Sequence, residues 1–491
     1  MNNSSFDHSR RLLLHGGLAA AVAAALPARA QSEAAAAKRD EISPLMRTLS
    51  AYIAQAAGKP LPDEVTEATK QHLVDTLGAM ISGSRLLPGK LAIAYVKPLG
   101  GTSEACVPGT RIVSNAVNAA LAGAMCAHAD ETDDAYPQAG VHPGAPVVPA
   151  ALAMAERRGA NGTALLRAVT LGYDMCARFG MALNVNEFRN AGHDTYGYAN
   201  TFGASAAAGS IAGLDADKVR YLLSYAAQQA SGVPDYPRDT QHIEKAFNFA
   251  GRAARNGVTA ATMVAMGMSG IDDVFSGDKH FFSPFQPYAN PDELVRELGV
   301  RFDVMKTSIK KWSVGNPAQA ALDSLAELIR VNKVKAADVE KVVVRIERSG
   351  ANTVNDRSMP DINVQYLFSV MLLDGKLTFA AVHDLPRMRD PQVLEMKKRI
   401  ELIADEEMTR ALPERHSLVE MKLRDGRELR QLTTRVRGTM DNPMSHDEVD
   451  AKAYDLCAPV LGTQRARAML DAVWRIDKVA NVRTLRPLLQ A

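Results

Sequence analysis

An uninterrupted series of helical patterns, from about residue 43 to residue 283, constrains the fold of this chain more than any other feature. Over residues 63–82, the apolar side chains recur at the three- and four-residue spacing that places them on one helix face. Asn161 and Asp215 are predicted N-caps of two further helices, which glycines are expected to end. The series predicts a large all-helical domain over residues 43–290.

The period of the pattern changes after about residue 290. Val342, Val344 and Ile346 alternate with mostly polar residues, which is typical of a half-buried strand. The predicted elements of this region are a strand over residues 341–348, helices over 364–373 and 391–403, and a hairpin whose strands, 417–424 and 428–434, flank Asp425-Gly426.

The two kinds of pattern together predict a mainly α fold. A smaller α+β domain over residues 291–440 is inserted into the helical domain. Residues 441–491 return to helical spacing, and we expect residues 466–474 to pack back on the first domain.

The first thirty residues have the pattern of an export signal. Arg10-Arg11 precedes an apolar stretch that ends near Leu26, and Ala30 closes a small-residue cleavage site. The apolar stretch is short for a bilayer span, so cleavage is expected rather than stable membrane insertion. Residues 1–30 are therefore predicted to direct the folded protein through the twin-arginine pathway to the periplasm; the alternative is an ordinary N-terminal tail.

The composition excludes some classes of partner and site. Lys plus Arg total 57 against 55 for Asp plus Glu, so the chain has no excess positive charge for a nucleic acid. Its 47% hydrophobic and 5% aromatic residues are typical of a helical enzyme. Four scattered cysteines have no metal-binding spacing, and we expect small buried hydrophobes or at most one disulfide.

Residues 128–143, called the acidic loop below, combine four carboxylates with two imidazoles. They follow the small-residue helix predicted over residues 116–127, so they are expected at the end of a buried helix. Burial of like charges shifts pKa values toward neutrality, which suits acid–base chemistry. Two alternatives are a solvated helix end and a metal centre with carboxylate and imidazole ligands, here His128, Asp130, Asp133, Asp134 and His142.

Three further segments carry candidate binding groups. His193 lies in a polar segment before a helix of small residues, whose N-terminus would donate backbone N–H groups to an anion. Lys245 precedes a Gly/Ala-rich helix, and Lys310 and Lys311 precede Trp312. Each lysine could bind a carboxylate as a point charge. The alternatives are a satisfied loop histidine and solvated surface lysines.

Several separated motifs together resemble the MmgE/PrpD family. They are His-Ala-x-Glu-x-Asp-Asp followed by His142-Pro143, the segment 245–254, Lys310-Lys311-Trp312 ahead of Asp323, and Gln365-Tyr366 ahead of Met371-Leu372-Leu373-Asp374-Gly375. They occur in the family's order, and the resemblance extends from about residue 45 to residue 474. The family includes 2-methylcitrate dehydratase, cis-aconitate decarboxylase and a related epimerase.

The resemblance implies a large helical domain, an α+β lid and a homodimer. We call residues 291–440 the lid segment. It also implies a pocket between the domains that accepts di- or tricarboxylic acids without a metal or an organic cofactor. The residues that match pocket positions of the family are Glu131, His142, His193, Lys245, Lys310 and Tyr366.

The chain departs from the family pattern at several of these motifs. Ala135 replaces a hydroxyl residue, and one residue is inserted before His142. The Lys245 segment is longer by one residue and has Asn248 in place of a histidine, and Gln319 replaces a second histidine. The pocket is therefore altered, and neither methylcitrate nor cis-aconitate is assumed as substrate.

The sequence thus predicts a cofactor-independent lyase, a dehydratase of a hydroxylated di- or tricarboxylic acid. Glu131 or Asp134 paired with His142 is expected to transfer protons, with His193 and Tyr366 as secondary donors. Lys245 and Lys310 would stabilise the developing enediolate. The alternatives are an epimerase or a decarboxylase of a related acid, and a periplasmic carboxylate-binding protein without catalysis.

Overall fold

The computed structural model describes residues 42–491, which are mainly α-helical, as the sequence predicted. The predicted export signal lies outside these residues. The α-helices are α1 (Pro44–Ala56), α2 (Asp63–Gly83), α3 (Leu87–Val96), α4 (Ala116–Ala127), α5 (Gly144–Arg158), α6 (Gly162–Ala182), α7 (Val185–Asn190), α8 (Thr195–Ala212), α9 (Ala216–Gln229), α10 (Ile243–Ala246), α11 (Arg252–Ala265), α12 (Asn316–Asn332), α13 (Arg348–Val354), α14 (Val364–Asp374), α15 (Pro391–Lys397), α16 (Glu406–Arg410), α17 (His446–Leu461), α18 (Thr463–Trp474) and α19 (Arg486–Leu489).

The predicted helix starts are confirmed, but the predicted ends are not. The side chains of Asn161 and Asp215 accept hydrogen bonds from backbone N–H groups of α6 and α9, as N-caps do. The prediction that glycines end these helices is wrong, because their C-cap residues are Leu183 and Ala230. Gly180 lies inside α6, where a Cβ would come within 2.2 Å of the Ala139 carbonyl oxygen. This glycine permits close packing rather than ending the helix.

Two small-residue helices form the centre of the helical part. Helix α8 packs against α5, α6 and α11, while α4 packs against α2, α3 and α5. A Cβ at Gly203 of α8 would lie 2.1 Å from Cys176 Sγ of α6, so only glycine allows this approach. Because α4 is buried along most of its length, its C-terminus places the acidic loop in the interior of the protein.

The lid segment contains the main sheet, whose strands are β3 (Val339–Glu347), β4 (Ile400–Asp405), β5 (Ser417–Leu423) and β6 (Glu428–Thr433); a short ribbon of β1 (Ala105–Cys106) and β2 (Val113–Ser114) lies elsewhere. The strand order is β4-β3-β5-β6. Strands β5 and β6 pair antiparallel around Gly426, which confirms the hairpin.

The helix predicted over residues 391–403 is only partly right. Helix α15 ends at Lys397, and β4 then pairs in parallel with β3. The sequence pattern has no clear break at this point, and the strand depends on a partner about sixty residues earlier in the chain. Such pairing is decided by tertiary contacts rather than by local propensity.

A second hydrophobic core fills the lid segment between the sheet and helices α12 and α14. Helices α17 and α18 both contact α2. The C-terminal helices therefore pack on the helical residues 43–290, as expected. Residues 44–491 form one compact unit. The division into domains at residues 290 and 440 therefore stays a prediction.

All four cysteines are buried and unpaired, as small hydrophobes would be. Within residues 42–491, no helix combines the length and the apolar character that a bilayer crossing requires.

Candidate active site

The acidic loop connects α4 to α5 and is buried. Its four carboxylates and both imidazoles are at most 7% exposed. The alternative of a solvated helix end is therefore wrong. Buried charges require partners, and each carboxylate of the loop contacts a cation or a hydrogen-bond donor.

Asp133 accepts hydrogen bonds from two imidazoles at the same oxygen. His128 Nδ1 lies 2.8 Å and His142 Nδ1 lies 3.1 Å from Asp133 Oδ2. Burial opposes ionisation of Asp133, but the two histidines and Lys310 outweigh it and hold its pKa well below its usual range. Burial lowers the pKa of His142. At neutral pH, His142 is therefore uncharged, with its proton on Nδ1 and a lone pair on Nε2.

Glu131 lies between two lysine side chains. Lys245 Nζ forms an ion pair with Glu131 Oε1. Lys310 Nζ donates to the Glu131 backbone carbonyl at 2.9 Å and lies 3.5 Å from Asp133 Oδ1. Burial opposes ionisation of Glu131, yet both lysines hold the pKa of its carboxyl well below the usual range. Neither lysine is a solvated surface residue, since their side chains are 16% and 1% exposed.

Asp134 contacts a different set of groups. Its Oδ2 accepts from Tyr173 at 2.5 Å and lies 2.7 Å from His72 Nδ1, and its Oδ1 accepts from the Gly144 backbone N–H at 2.9 Å. These contacts join the acidic loop to α2, α5 and α6. Asp134 is thus placed as an anchor of the loop, with both oxygens already occupied.

His193 and Tyr366 do not contact this cluster within the described part of the chain. The ring of His193 packs against Phe188, Tyr198 and Phe285. The Tyr366 hydroxyl donates to the Ala381 carbonyl at 2.6 Å, inside the lid segment. The structure therefore brings Glu131, His142, Lys245 and Lys310 together, whereas the side chains of Asp134, His193 and Tyr366 contact other groups within the described residues.

Three aromatic residues that the sequence analysis missed surround the two imidazoles. Tyr196, in the first turn of α8, lies 5.4 Å from the His142 ring and stacks on Phe249 at 3.8 Å, both measured between ring centroids. Phe249 also stacks on His128 at 4.8 Å.

The third of these residues, His242, lies 5.1 Å from His128 between ring centroids. Its Nδ1 is 3.9 Å from Glu131 Oε1, and burial holds its pKa well below the usual range. His242 has a φ of 60°, a left-handed conformation that is uncommon outside glycine and is often found at functional sites. In the sequence, His242 is a single histidine three residues before Lys245, and nothing in the pattern indicates its strained backbone conformation.

Residues Phe247–Gly251 form a π-helical turn between α10 and α11. A π turn contains one more residue than an α turn, and such turns are frequent at functional sites. The turn places Phe249 against His128 and Lys245, whose Nζ lies 5.1 Å from the Phe249 ring centroid.

A cavity of about 600 Å³ adjoins the cluster at Lys310. Tyr136 and Gln138 line it from the acidic loop, and Arg415 and Arg435 line it from the lid segment. The cavity therefore lies between the acidic loop and the lid segment. Its size matches that of small-molecule sites.

The donor set favours hydrogen bonding over metal binding. Within residues 42–491, the ligand atoms of His128, Asp133 and His142 form the one group close enough for an ion, all within 4.8 Å of one another. Both Nδ1 atoms already point at Asp133, and the charge of Lys310 beside Asp133 would repel a cation. Asp130 and Asp134, the other ligands of the metal alternative, bind different partners.

Comparison with known proteins shows the family to which this chain belongs. The profile of the MmgE/PrpD N-terminal domain matches residues 47–294, and that of the C-terminal domain matches residues 312–478. The chain belongs to the MmgE/PrpD family. This family member is 25% identical over 438 residues to the 2-methylcitrate dehydratase-like protein oryR of Aspergillus oryzae (strain ATCC 42149 / RIB 40), an alignment that covers 82% of the chain and 87% of that relative.

Proposed function

We propose that this MmgE/PrpD protein is a cofactor-independent hydro-lyase that dehydrates a hydroxylated di- or tricarboxylic acid. The observation that carries the proposal is the hydrogen bond between His142 Nδ1 and Asp133, beside the buried Lys310 and close to the partly buried Lys245. Dehydration next to a carboxylate needs a base for the α-proton and positive charge near the enediolate that forms. This cluster contains both.

His142 is the base in this proposal. Because Asp133 fixes the proton on Nδ1, Nε2 is left to accept the α-proton of the substrate. Asp133 then stabilises the imidazolium, as the carboxylate of a catalytic triad does. Glu131 assists by keeping Lys245 and Lys310 close to the reacting centre.

The charge of the site suits a substrate with more than one carboxylate. Glu131 and Asp133 balance the charges of Lys245 and Lys310, so this part of the cluster is close to neutral. The adjoining cavity adds Lys306 and Arg435, which have no ion-pair partner within residues 42–491, whereas Arg415 of the same cavity already pairs with Glu347. These cations would bind the remaining carboxylates.

An NMR screen separates this proposal from its alternatives. The purified protein is incubated in D₂O with 2-methylcitrate, citrate and malate as the first substrates. Dehydration gives a new olefinic product, epimerisation gives deuterium at the α-carbon without an alkene, and decarboxylation gives a product with one carboxylate fewer. A melting temperature that rises with ligand, without any product, would identify a binding protein.

We expect Lys245→Ala and Lys310→Ala to lower kcat/KM by roughly 10- to 150-fold, since each removes a charge-assisted contact of about 1.5–3 kcal/mol. The measurement is steady-state kinetics on the substrate found in the screen, with circular dichroism as the check on folding. Lys311→Ala is the matched control, because Lys311 is partly exposed and lies 3.9 Å from Asp323. Wild-type kinetics in both variants would remove the lysines from the site.

The export signal is part of the proposal. We expect the double substitution of Arg10 and Arg11 by lysine to retain the precursor in the cytoplasm, because the pathway recognises the guanidinium groups. Cell fractionation followed by immunoblotting measures this. A processed periplasmic form of the double variant would contradict the assignment.

We also propose that the protein acts as a homodimer. The support is the family resemblance alone. Light scattering of the purified protein tests it, and a monomer mass at micromolar concentration would contradict it.

A further inference from the structure

Two buried lysines donate hydrogen bonds to consecutive carbonyl groups of the acidic loop. Lys310 Nζ binds the Glu131 carbonyl, and the proposed dehydration already uses this lysine. Lys452 Nζ, from α17, donates to the Thr132 carbonyl at 3.0 Å. Its side chain is 6% exposed, and no step of the proposed dehydration uses it. The bond from Lys452 falls on the residue between Glu131 and Asp133, so it acts on the backbone that carries both carboxylates.

Lys452 also forms a buried ion pair with α2. Its Nζ lies 2.6 Å from Asp75 Oδ1, and the Asp75 side chain is fully buried. The ammonium group thus connects α2, α17 and the acidic loop. A buried ion pair gives little stability beyond that of apolar residues of the same volume. The feature that this pair adds is a fixed position for the Thr132 carbonyl.

His383 reaches the same part of the acidic loop from the lid segment. Its Nδ1 lies 2.8 Å from the Phe379 carbonyl oxygen, and its Nε2 lies 2.9 Å from Asp130 Oδ2. Burial lowers the pKa of His383, but Asp130 outweighs it and raises the value to about 9, so the two form an ion pair at neutral pH. Asp130 also accepts hydrogen bonds from the Thr132 N–H at 3.0 Å and hydroxyl at 2.6 Å. His383 and Lys452 therefore hold neighbouring residues of the loop.

Helix α17 is also joined to the turn that carries His383. The Phe379 N–H donates to Asp455 Oδ2 at 2.9 Å. Asp455 follows Lys452 by three residues, so the two side chains are neighbours on the surface of α17. Contacts from α2, α17 and the lid segment thus form one connected set around residues 130–132.

We propose that Lys452 and His383 are positioning residues, which fix the acidic loop so that its carboxylates keep their catalytic partners in reactive geometry. The inference rests on the proposed dehydration and deepens it. Each of the two residues acts through the loop rather than on the substrate.

The carboxylates on either side of Thr132 control the position of the reacting groups. Glu131 pairs with Lys245, and Asp133 binds His142. A shift of the peptide between them would therefore displace a cation and the base together. A misplacement of about 1 Å can slow a reaction roughly 100-fold. The loss is expected in kcat more than in KM, because the cations of the adjoining cavity would still bind the substrate.

Removal of the whole ion pair tests Lys452 without leaving a buried charge. The double variant Lys452→Gln with Asp75→Asn keeps this position neutral, so the protein should fold. We expect its kcat to fall by roughly 10- to 100-fold, with little change in KM. Steady-state kinetics on the substrate from the NMR screen measure this, and circular dichroism checks folding. Glu395→Gln with Lys398→Gln removes an exposed ion pair and should keep the wild-type kcat. A wild-type kcat in the folded Lys452 double variant would overturn the inference.

His383 offers a second test, which decides the matter if the double variant does not fold. His383→Ala leaves Asp130 with both hydrogen bonds from Thr132, so this variant should fold, and its kcat should fall in the same range. His383→Gln restores a donor toward Asp130 and should recover most of the lost rate. A purely structural histidine would lower the melting temperature of His383→Ala without changing kcat. That result, or no recovery in His383→Gln, contradicts the proposed role.

A measurement without substrate separates this inference from the proposed function. In protein with isotope-labelled histidine, the Nδ1–H resonance of His142 reports its hydrogen bond to Asp133, and its absence from His142→Ala assigns it. The resonance should shift in His383→Ala and in the Lys452 double variant, but not in the control. If the wild type gives no product from any substrate, the dehydratase is overturned, and a shifted or an unmoved resonance supports or overturns the positioning role. If the wild type is active and the folded variants keep its kcat and its resonance, only the positioning role is overturned.

Discussion

His142→Ala is expected to lower kcat by a factor on the order of 10²–10⁴, the usual contribution of one acid–base group. Thermal stability should change little, because the one side-chain hydrogen bond of His142 within residues 42–491 is to Asp133, which retains His128 as a partner. Steady-state kinetics and a melting curve measure the two effects. His446→Ala is the control, since His446 is exposed and packs on Trp474.

The pH profile sharpens this expectation. Burial lowers the pKa of His142 below its ordinary value of 6.5, so the neutral base persists to acidic pH. The kcat/KM of the wild type should therefore fall as pH decreases through a value below 6.5, and this acid limb should be absent from His142→Ala. A variant that unfolds would instead identify a structural histidine.

Asp134→Ala is expected to destabilise the protein by about 3–5 kcal/mol, because it leaves buried partners without their carboxylate. Tyr173 and the Gly144 N–H would each lose an acceptor, and His72 would lose its charged neighbour. Urea unfolding of the variant against wild type measures the change. Asp447→Ala, which removes a fully exposed carboxylate, is the control. A variant with unchanged stability and a strongly reduced kcat would instead assign Asp134 to proton transfer.

Local pattern predicted the elements that local interactions determine. Helix α4 was predicted with its observed bounds because Asn115 caps it and small residues fill it. The hairpin of β5 and β6 was predictable because Asp425-Gly426 fixes its turn. Strand β4 was missed because its partner, β3, is distant in sequence.

The same distinction applies to the candidate site. Glu131, His142, Lys245 and Lys310 were identified because they belong to motifs of the family. His242 was not, since it is a single residue that only tertiary packing brings to the acidic loop. Its left-handed backbone and lowered pKa have no counterpart in the sequence pattern.

The central claim, that His142 removes a proton next to a carboxylate, is tested most directly by solvent exchange. Wild type and His142→Ala are incubated in D₂O with the substrate identified in the screen, and proton NMR follows the α-proton. The account predicts that wild type forms the alkene product and releases the α-proton to the solvent. His142→Ala should do both at least 100-fold more slowly, on the order of the loss expected for one base. Wild-type loss of the α-proton in a folded His142→Ala protein would contradict it.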